Sequence, residues 1–273
     1  MNILLFLFAC GEKTTDTATD PITEPSEPSE PSEPDTPTDD CAATDETGFR
    51  FEGTVEFSDG TAADNTQVRV QMCKSSCFQA SWGPDGFCFP EGTLDPGTYA
   101  FDVVPFGVEN HATPLSFLTI TEDQELISLE EPVIVPEFQY NGALVDGDFD
   151  GGNGLSIAVS AAGFTANMMG EEGVQSVPVD PATSGLPLEG IAQENIVGMW
   201  FLGPFESSLS PAWSFTVTDS GLAVGETVQI LNADYEEKQF QEMGTATVNA
   251  DGLLVSDSES GIGQMTTLIL VKP

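Results

Sequence analysis

The chain has 273 residues, 45 of them acidic and six basic, for a formal net charge of −39. A surface of that sign repels phosphate backbones and anionic head groups, which excludes nucleic acid as a partner. Glycine (27) and proline (19) are frequent, and no long run of Ala, Leu, Glu and Lys supports a helix. The composition therefore favours short strands joined by turns. Ten of the acids and one of the bases fall in residues 11–40, leaving 35 and five for the remainder, so the body is acidic in its own right. That charge suits first a solvated surface in a salty medium and only second the attraction of cations, since net charge speaks to solubility before partners.

The chain opens with an apolar run, Ile3 to Ala9, that stops at Cys10. It is far shorter than the roughly 20 residues of a membrane-crossing helix, and its length suits the apolar segment of a signal peptide. Leu7-Phe8-Ala9-Cys10 resembles the lipobox of bacterial lipoproteins, although Asn2 stands where that family carries Lys or Arg. The resemblance implies a signal peptide over residues 1–9, cleaved before Cys10, and a thioether from Cys10 to a diacylglycerol. Gly11, where an aspartate would signal retention at the inner membrane, implies a lipid-anchored outer-membrane protein, its body periplasmic or surface-exposed. The membrane is then a partner through the anchor.

Residues 10–40 hold this cysteine and a Ser-Glu-Pro repeat almost free of apolar side chains. Such a segment buries too little surface to offset the entropy of ordering, and proline with like charge extends it. A disordered acidic spacer is expected, reaching about 90 Å if drawn out at about 3.1 Å per residue.

Alternation starts at Phe49, Phe51, Val55 and Phe57, opposed by Arg50, Glu52, Thr54 and Glu56, the period of a half-buried strand. Val68, Val70 and Met72 repeat it. Further strands are expected at Cys77 to Ser81, at Phe87-Cys88-Phe89, and at Tyr99, Phe101 and Val103, separated by the turns Gly83-Pro84-Asp85-Gly86 and Asp95-Pro96-Gly97. Short strands at this spacing predict a β-sandwich over residues 41–136, closed by Leu126, Ile127, Leu129, Val133 and Val135. Gly53-Thr54-Val55, Val68-Arg69-Val70, Asp85-Gly86-Phe87-Cys88-Phe89 and Leu94-Asp95-Pro96-Gly97-Thr98-Tyr99 resemble the carboxypeptidase regulatory-like (transthyretin-like) family across residues 49–107. That resemblance implies a seven-strand accessory module without peptidase activity. A zinc carboxypeptidase needs two histidines and a glutamate on its metal, and the chain has one histidine.

Cys41, Cys73, Cys77 and Cys88 all fall in this unit and allow three pairings. Cys73 with Cys77 and Cys41 with Cys88 are the expected bridges, the first closing a tight loop between neighbouring strands and the second pinning the start of the unit. The rival is a four-thiolate zinc site, against which stand three residues between Cys73 and Cys77 instead of the usual two.

A second β-sandwich is expected over residues 137–273, from Leu155 to Val159, Trp213, Phe215 and Val217, Val228 to Leu231, Thr245 to Val248 and Leu268 to Val271. Leu202-Gly203-Pro204-Phe205 and Pro211 to Val217, followed by Val228 to Asp234, Gly244 and Asp251-Gly252, resemble ZU5-type sandwiches over residues 154–262. That family implies a protein–protein interaction fold without catalysis. The expected class is thus all-β: two sandwich units behind a disordered, proline-rich acidic linker.

Asp146, Asp148, Asp150 and Asn153 lie in a run that resembles the start of an Asp-x-Asp-x-Asp-Gly calcium loop, which would supply several of the six to eight oxygens calcium takes. Ile157 stands at loop position twelve, where an EF-hand has glutamate, and an acidic glycine-rich connection needs no metal. His111 has no neighbouring nucleophile motif, and there is neither a Gly-x-Ser-x-Gly elbow nor a lysine-ended phosphate loop. Trp82, Trp200 and Trp213 suit either core or a sugar-binding face, Trp82 being placed at a turn tip. The leading expectation is a non-catalytic, envelope-anchored binding or structural lipoprotein with a protein or glycan ligand. The alternatives are a calcium-dependent adhesin or carbohydrate-binding protein, and a carboxylate-based hydrolase.

Overall fold

A computed structural model describes Cys41 and residues 48–273; Cys10, the signal segment 1–9 and the linker 10–40 lie outside the described residues. Among the described residues helix is confined to two three-residue 3-10 turns, Ala161–Gly163 and Gln193–Asn195, and all other regular structure is strand. The class is all-β, as the glycine-rich, turn-rich composition predicts.

The N-terminal half holds ten strands: β1 (Arg50–Gly53), β2 (Val55–Phe57), β3 (Val68–Cys73), β4 (Cys77–Gln79), β5 (Ser81–Gly83), β6 (Gly86–Phe89), β7 (Gly97–Pro105), β8 (Leu115–Ile120), β9 (Leu126–Ser128) and β10 (Val133–Val135). One sheet runs β5-β6-β1-β9, carried past Thr54 by the parallel pair β2-β10; the other runs β4-β3-β7-β8. The alternating residues Phe51, Val55, Val68, Val70, Met72, Phe87, Phe89, Phe101 and Val103 all point between these sheets and are buried. Phe51 meets the Phe101 ring edge-on at 5.2 Å and the Phe87 ring at 5.7 Å, geometries that suit the ring quadrupole. Val133 and Val135 are in the core as expected, but Leu126 is not. It lies on edge strand β9 and is 54% exposed.

The C-terminal half holds β11 (Tyr140–Gly142), β12 (Gly147–Gly152), β13 (Leu155–Val159), β14 (Phe164–Thr165), β15 (Val174–Pro178), β16 (Ile196–Gly203), β17 (Ser208–Trp213), β18 (Phe215–Val217), β19 (Thr227–Asp234), β20 (Gln239–Val248), β21 (Leu254–Ser256), β22 (Ile262–Gln264) and β23 (Thr267–Val271). Ten of them form one sheet, β11-β15-β16-β23-β19-β20-β21-β18-β13-β12, and β14-β17-β22 form a smaller one. The long sheet rolls until its ends touch. Ser176 Oγ on β15 donates to the Gly151 carbonyl on β12 at 2.8 Å, and the Tyr140 ring lies so close to Gly152 that any β-carbon there would overlap it. Rolling encloses Trp200, Leu202, Phe215, Val228, Ile230, Leu254, Leu268 and Leu270 in a second core. The alternation Trp213, Phe215, Val217 predicts one strand, whereas the chain breaks at Ser214 and passes from the small sheet to the large one.

The two halves share apolar packing. On β16, Trp200 and Leu202 face the rolled core, while Met199 and Phe201 join the cluster of the N-terminal sandwich; Leu268 and Leu270 against Ile269 and Val271 do the same on β23. Strands covered on both faces read as unbroken apolar runs, and MWFL and LILV are such runs. The outer face of β7 and β8 is covered in turn, with Ala100, Leu115 and Phe117 packing on Ala233, Tyr235 and Phe240. Thr267 Oγ1 donates to the Leu115 carbonyl at 2.7 Å across this seam. The described residues accordingly fall in one compact unit.

Candidate functional site

One surface groove lies where β3, β4 and β5 meet. This groove, of about 410 Å³, is lined by Asn65, Arg69, Gln79, Ser81, Trp82 and Phe106, together with Val68, Val70 and Ala80. Local sequence explains the placement. Val68, Val70 and Met72 turn into the sandwich, so the period of two turns Arg69 outward. Phe106, just past the end of β7, is 45% exposed. The Arg69 guanidinium sits 4.6 Å from the centre of its ring, a cation–π contact that holds the long side chain over an aromatic face.

What the polar groups here leave unused is informative. Among the described residues Arg69 makes no ion pair and no side-chain hydrogen bond, and the side chains of Asn65, Gln79, Ser81 and Trp82 likewise have no hydrogen-bond partner in the protein. The other two tryptophans differ. Trp200 is buried and its indole N–H donates to the Gly152 carbonyl at 3.1 Å; that of buried Trp213 donates to the Ser160 carbonyl at 3.2 Å. These two belong to the core. Trp82 is half-buried, packed on the N-terminal core with its ring centre 6.2 Å from that of Phe87, and it lines one side of the groove.

Both bridges form as the cysteine spacing suggests, Cys41 with Cys88 and Cys73 with Cys77. Cys73 and Cys77 are direct partners in the β3–β4 ladder, so the four-thiolate zinc alternative is set aside. Arg50, which the sequence shows only as part of the polar face of β1, secures the other bridge. Its Nη2 donates to the Cys41 carbonyl at 2.8 Å while its Nε pairs with Glu52 at 2.8 Å.

The aspartate-rich run is extended, not wrapped. Asp148 and Asp150 lie on β12, paired with Ala158 and Ser156 of β13, and Asn153-Gly154 is the two-residue turn between the strands, with φ of 47° and 77°. Positive φ at both positions is the requirement of a type I′ hairpin, which Asn-Gly satisfies best. Asp150 accepts the Gly152 N–H at 3.0 Å and Asp146 the Ala161 N–H at 2.8 Å. Asp146, Asp148, Asp150 and Asn153 thus serve a hairpin, and no group of three or more His, Cys, Asp or Glu gathers for a metal among the described residues. His111 Nδ1 donates to the Glu109 carbonyl at 2.7 Å and its ring meets Phe57 edge-on at 5.1 Å.

One buried acid was not foreseen. Asp102 on β7 is 2% exposed, facing the seam between the halves, and its Oδ1 has no hydrogen-bond partner. Burial first, and the Glu206 carboxylate second, push its carboxyl up to about 8. Burial raises Glu206 as well, helped by Glu236. Tyr235 is pushed up to about 12 by burial and then by Asp102 and Glu206. No family model matches the chain, and no curated protein or solved structure is similar to it.

Proposed function

We propose that the protein is an envelope lipoprotein, anchored through acylated Cys10, whose spacer over residues 11–40 presents a non-catalytic β-rich binding body. The observation that carries this reading is the use of cysteine. All four cysteines of the body are consumed in two bridges, which form and persist in oxidising compartments outside the cytoplasm. The fifth, Cys10, follows an apolar run and precedes a polar, proline-rich segment. Two or three acyl chains make such an anchor stable, each buried methylene contributing about 0.8 kcal/mol. Detergent phase partition of the native-host protein tests it: wild type enters the detergent phase and Cys10→Ala the aqueous phase. Intact mass adds the acyl chains to the cleaved product. An unmodified Cys10 in the mature protein overturns the anchor.

The groove of Arg69, Trp82 and Phe106 favours a second, compatible reading, that the body binds carbohydrate. The unengaged amide, hydroxyl and indole groups that line it suit the hydroxyls of a sugar ring.

A further inference from the structure

We propose that the groove between β3, β4 and β5 takes a single carboxylated sugar, a uronic or sialic acid at the end of a glycan. This rests on the carbohydrate-binding reading and names the class of ligand. Charge complementarity selects the acid. Arg69 is one of five bases among 35 acids in the chain beyond residue 40, yet among the described residues no carboxylate comes within ion-pair distance of it. Asp64, five residues before it, turns its carboxylate onto Thr66, accepting the backbone N–H at 2.8 Å and the hydroxyl at 2.5 Å. A guanidinium already held over the Phe106 ring loses little further freedom on forming a two-pronged pair with a ligand carboxylate.

The remaining groups fit the rest of such a ring. Trp82 offers an indole N–H, and Asn65, Gln79 and Ser81 offer donors and acceptors for hydroxyls. The volume of about 410 Å³ holds one or two sugar units and not a long chain segment. Charge also limits the ligand. The Debye length is about 8 Å at physiological ionic strength, so the acids of the wider surface are screened from a ligand confined to the groove. A polyanion leaving the groove runs into them. The occupant is therefore a terminal acid and not a polyuronate.

The test is titration of the full chain, held in detergent, with glucuronate, galacturonate and N-acetylneuraminate, each against glucose, acetate and a short glutamyl peptide, read by ligand-observed NMR. At least one sugar acid binds tenfold or more tighter than glucose and than acetate, a difference of about 1.4 kcal/mol per tenfold. Arg69→Met, at an exposed position, brings that acid down to the level of glucose, and Gln79→Ala weakens it without altering the melting temperature. Trp82→Ala weakens acid and glucose alike. Binding of glucose as tight as that of every acid overturns the proposal while leaving carbohydrate binding intact. Failure of every sugar to bind overturns both. Acetate or the peptide equalling the best sugar acid reduces the groove to a carboxylate site and also overturns the proposal.

Discussion

The Tyr235 hydroxyl of the C-terminal half stands 3.1 Å from the Cys77 sulfur of the N-terminal half. The Cys73–Cys77 bridge is thus pressed against the seam, whereas the Cys41–Cys88 bridge ties the chain entry to the buried strand β6. The two bridges close loops of very different length, with sequence separations of 4 and 47. Loop-closure entropy then assigns about 2 kcal/mol to the short loop and about 4 kcal/mol to the long one. Denaturant titration of Cys73→Ala/Cys77→Ala and Cys41→Ala/Cys88→Ala is expected to show the second pair as the more destabilised. The reverse order would mean that contacts at the seam outweigh chain entropy.

Asp102 makes stability depend on pH. Its carboxyl titrates at about 8 when folded against a reference of 3.8, so between these values the folded state holds the proton that the unfolded state has lost. The unfolded state binds fewer protons, and stability falls as pH rises, at up to about 1.4 kcal/mol per unit from this one group. The contribution is fully present below about pH 4 and gone above about pH 8. Asp102→Asn keeps the shape and cannot ionise. Urea midpoints at pH 4.5, 6 and 8 are expected to decline more steeply in the wild type, with the variant ahead at pH 8. Parallel profiles would show that Asp102 is not held neutral.

Because β16 and β23 are apolar on both faces, the halves are expected to melt together. Calorimetry should give one transition. Phe201→Ala, which empties a buried site shared between the halves, should lower it as a whole, at a cost of about 3–5 kcal/mol. Two resolved transitions, only one of them moved by the substitution, would contradict the shared packing.

The hairpin geometry of Asp146, Asp148, Asp150 and Asn153 predicts no calcium-specific stabilisation. Calcium and magnesium at equal millimolar concentration should shift the melting temperature alike, by screening the surface charge. A larger shift with calcium, lost in Asp148→Asn, would restore the ion-binding loop.

Much of the N-terminal half is legible in one dimension. Where one strand face meets the core and the other meets water, side chains alternate, and Phe51, Val55, Val68 and Val70 are placed by that rule alone. β8 and β16 escaped it because both their faces are buried, so Leu115 to Ile120 and Met199 to Leu202 carry no alternation to read. Gly147 to Gly152 is ambiguous for a different reason. Aspartates at alternate positions fit a calcium loop and the exposed face of a strand equally well, and only the pairing of β12 with β13 separates the two.

The binding groove divides in the same way. Trp82 at its turn was visible as a candidate, but Arg69 read only as the polar side of β3, and Phe106 as an ordinary aromatic near a strand end. Strand period and turn chemistry act over a few residues, so the chain by itself determined the all-β class and most inward-facing side chains, while of the three pairings its four body cysteines allow it only favoured the one that the fold forms. The rolling of ten strands into one sheet, the burial of Asp102 and the meeting of Arg69, Trp82 and Phe106 came from tertiary structure alone. Each depends on contacts between residues far apart in sequence, and no local pattern records which distant surface will cover a given face.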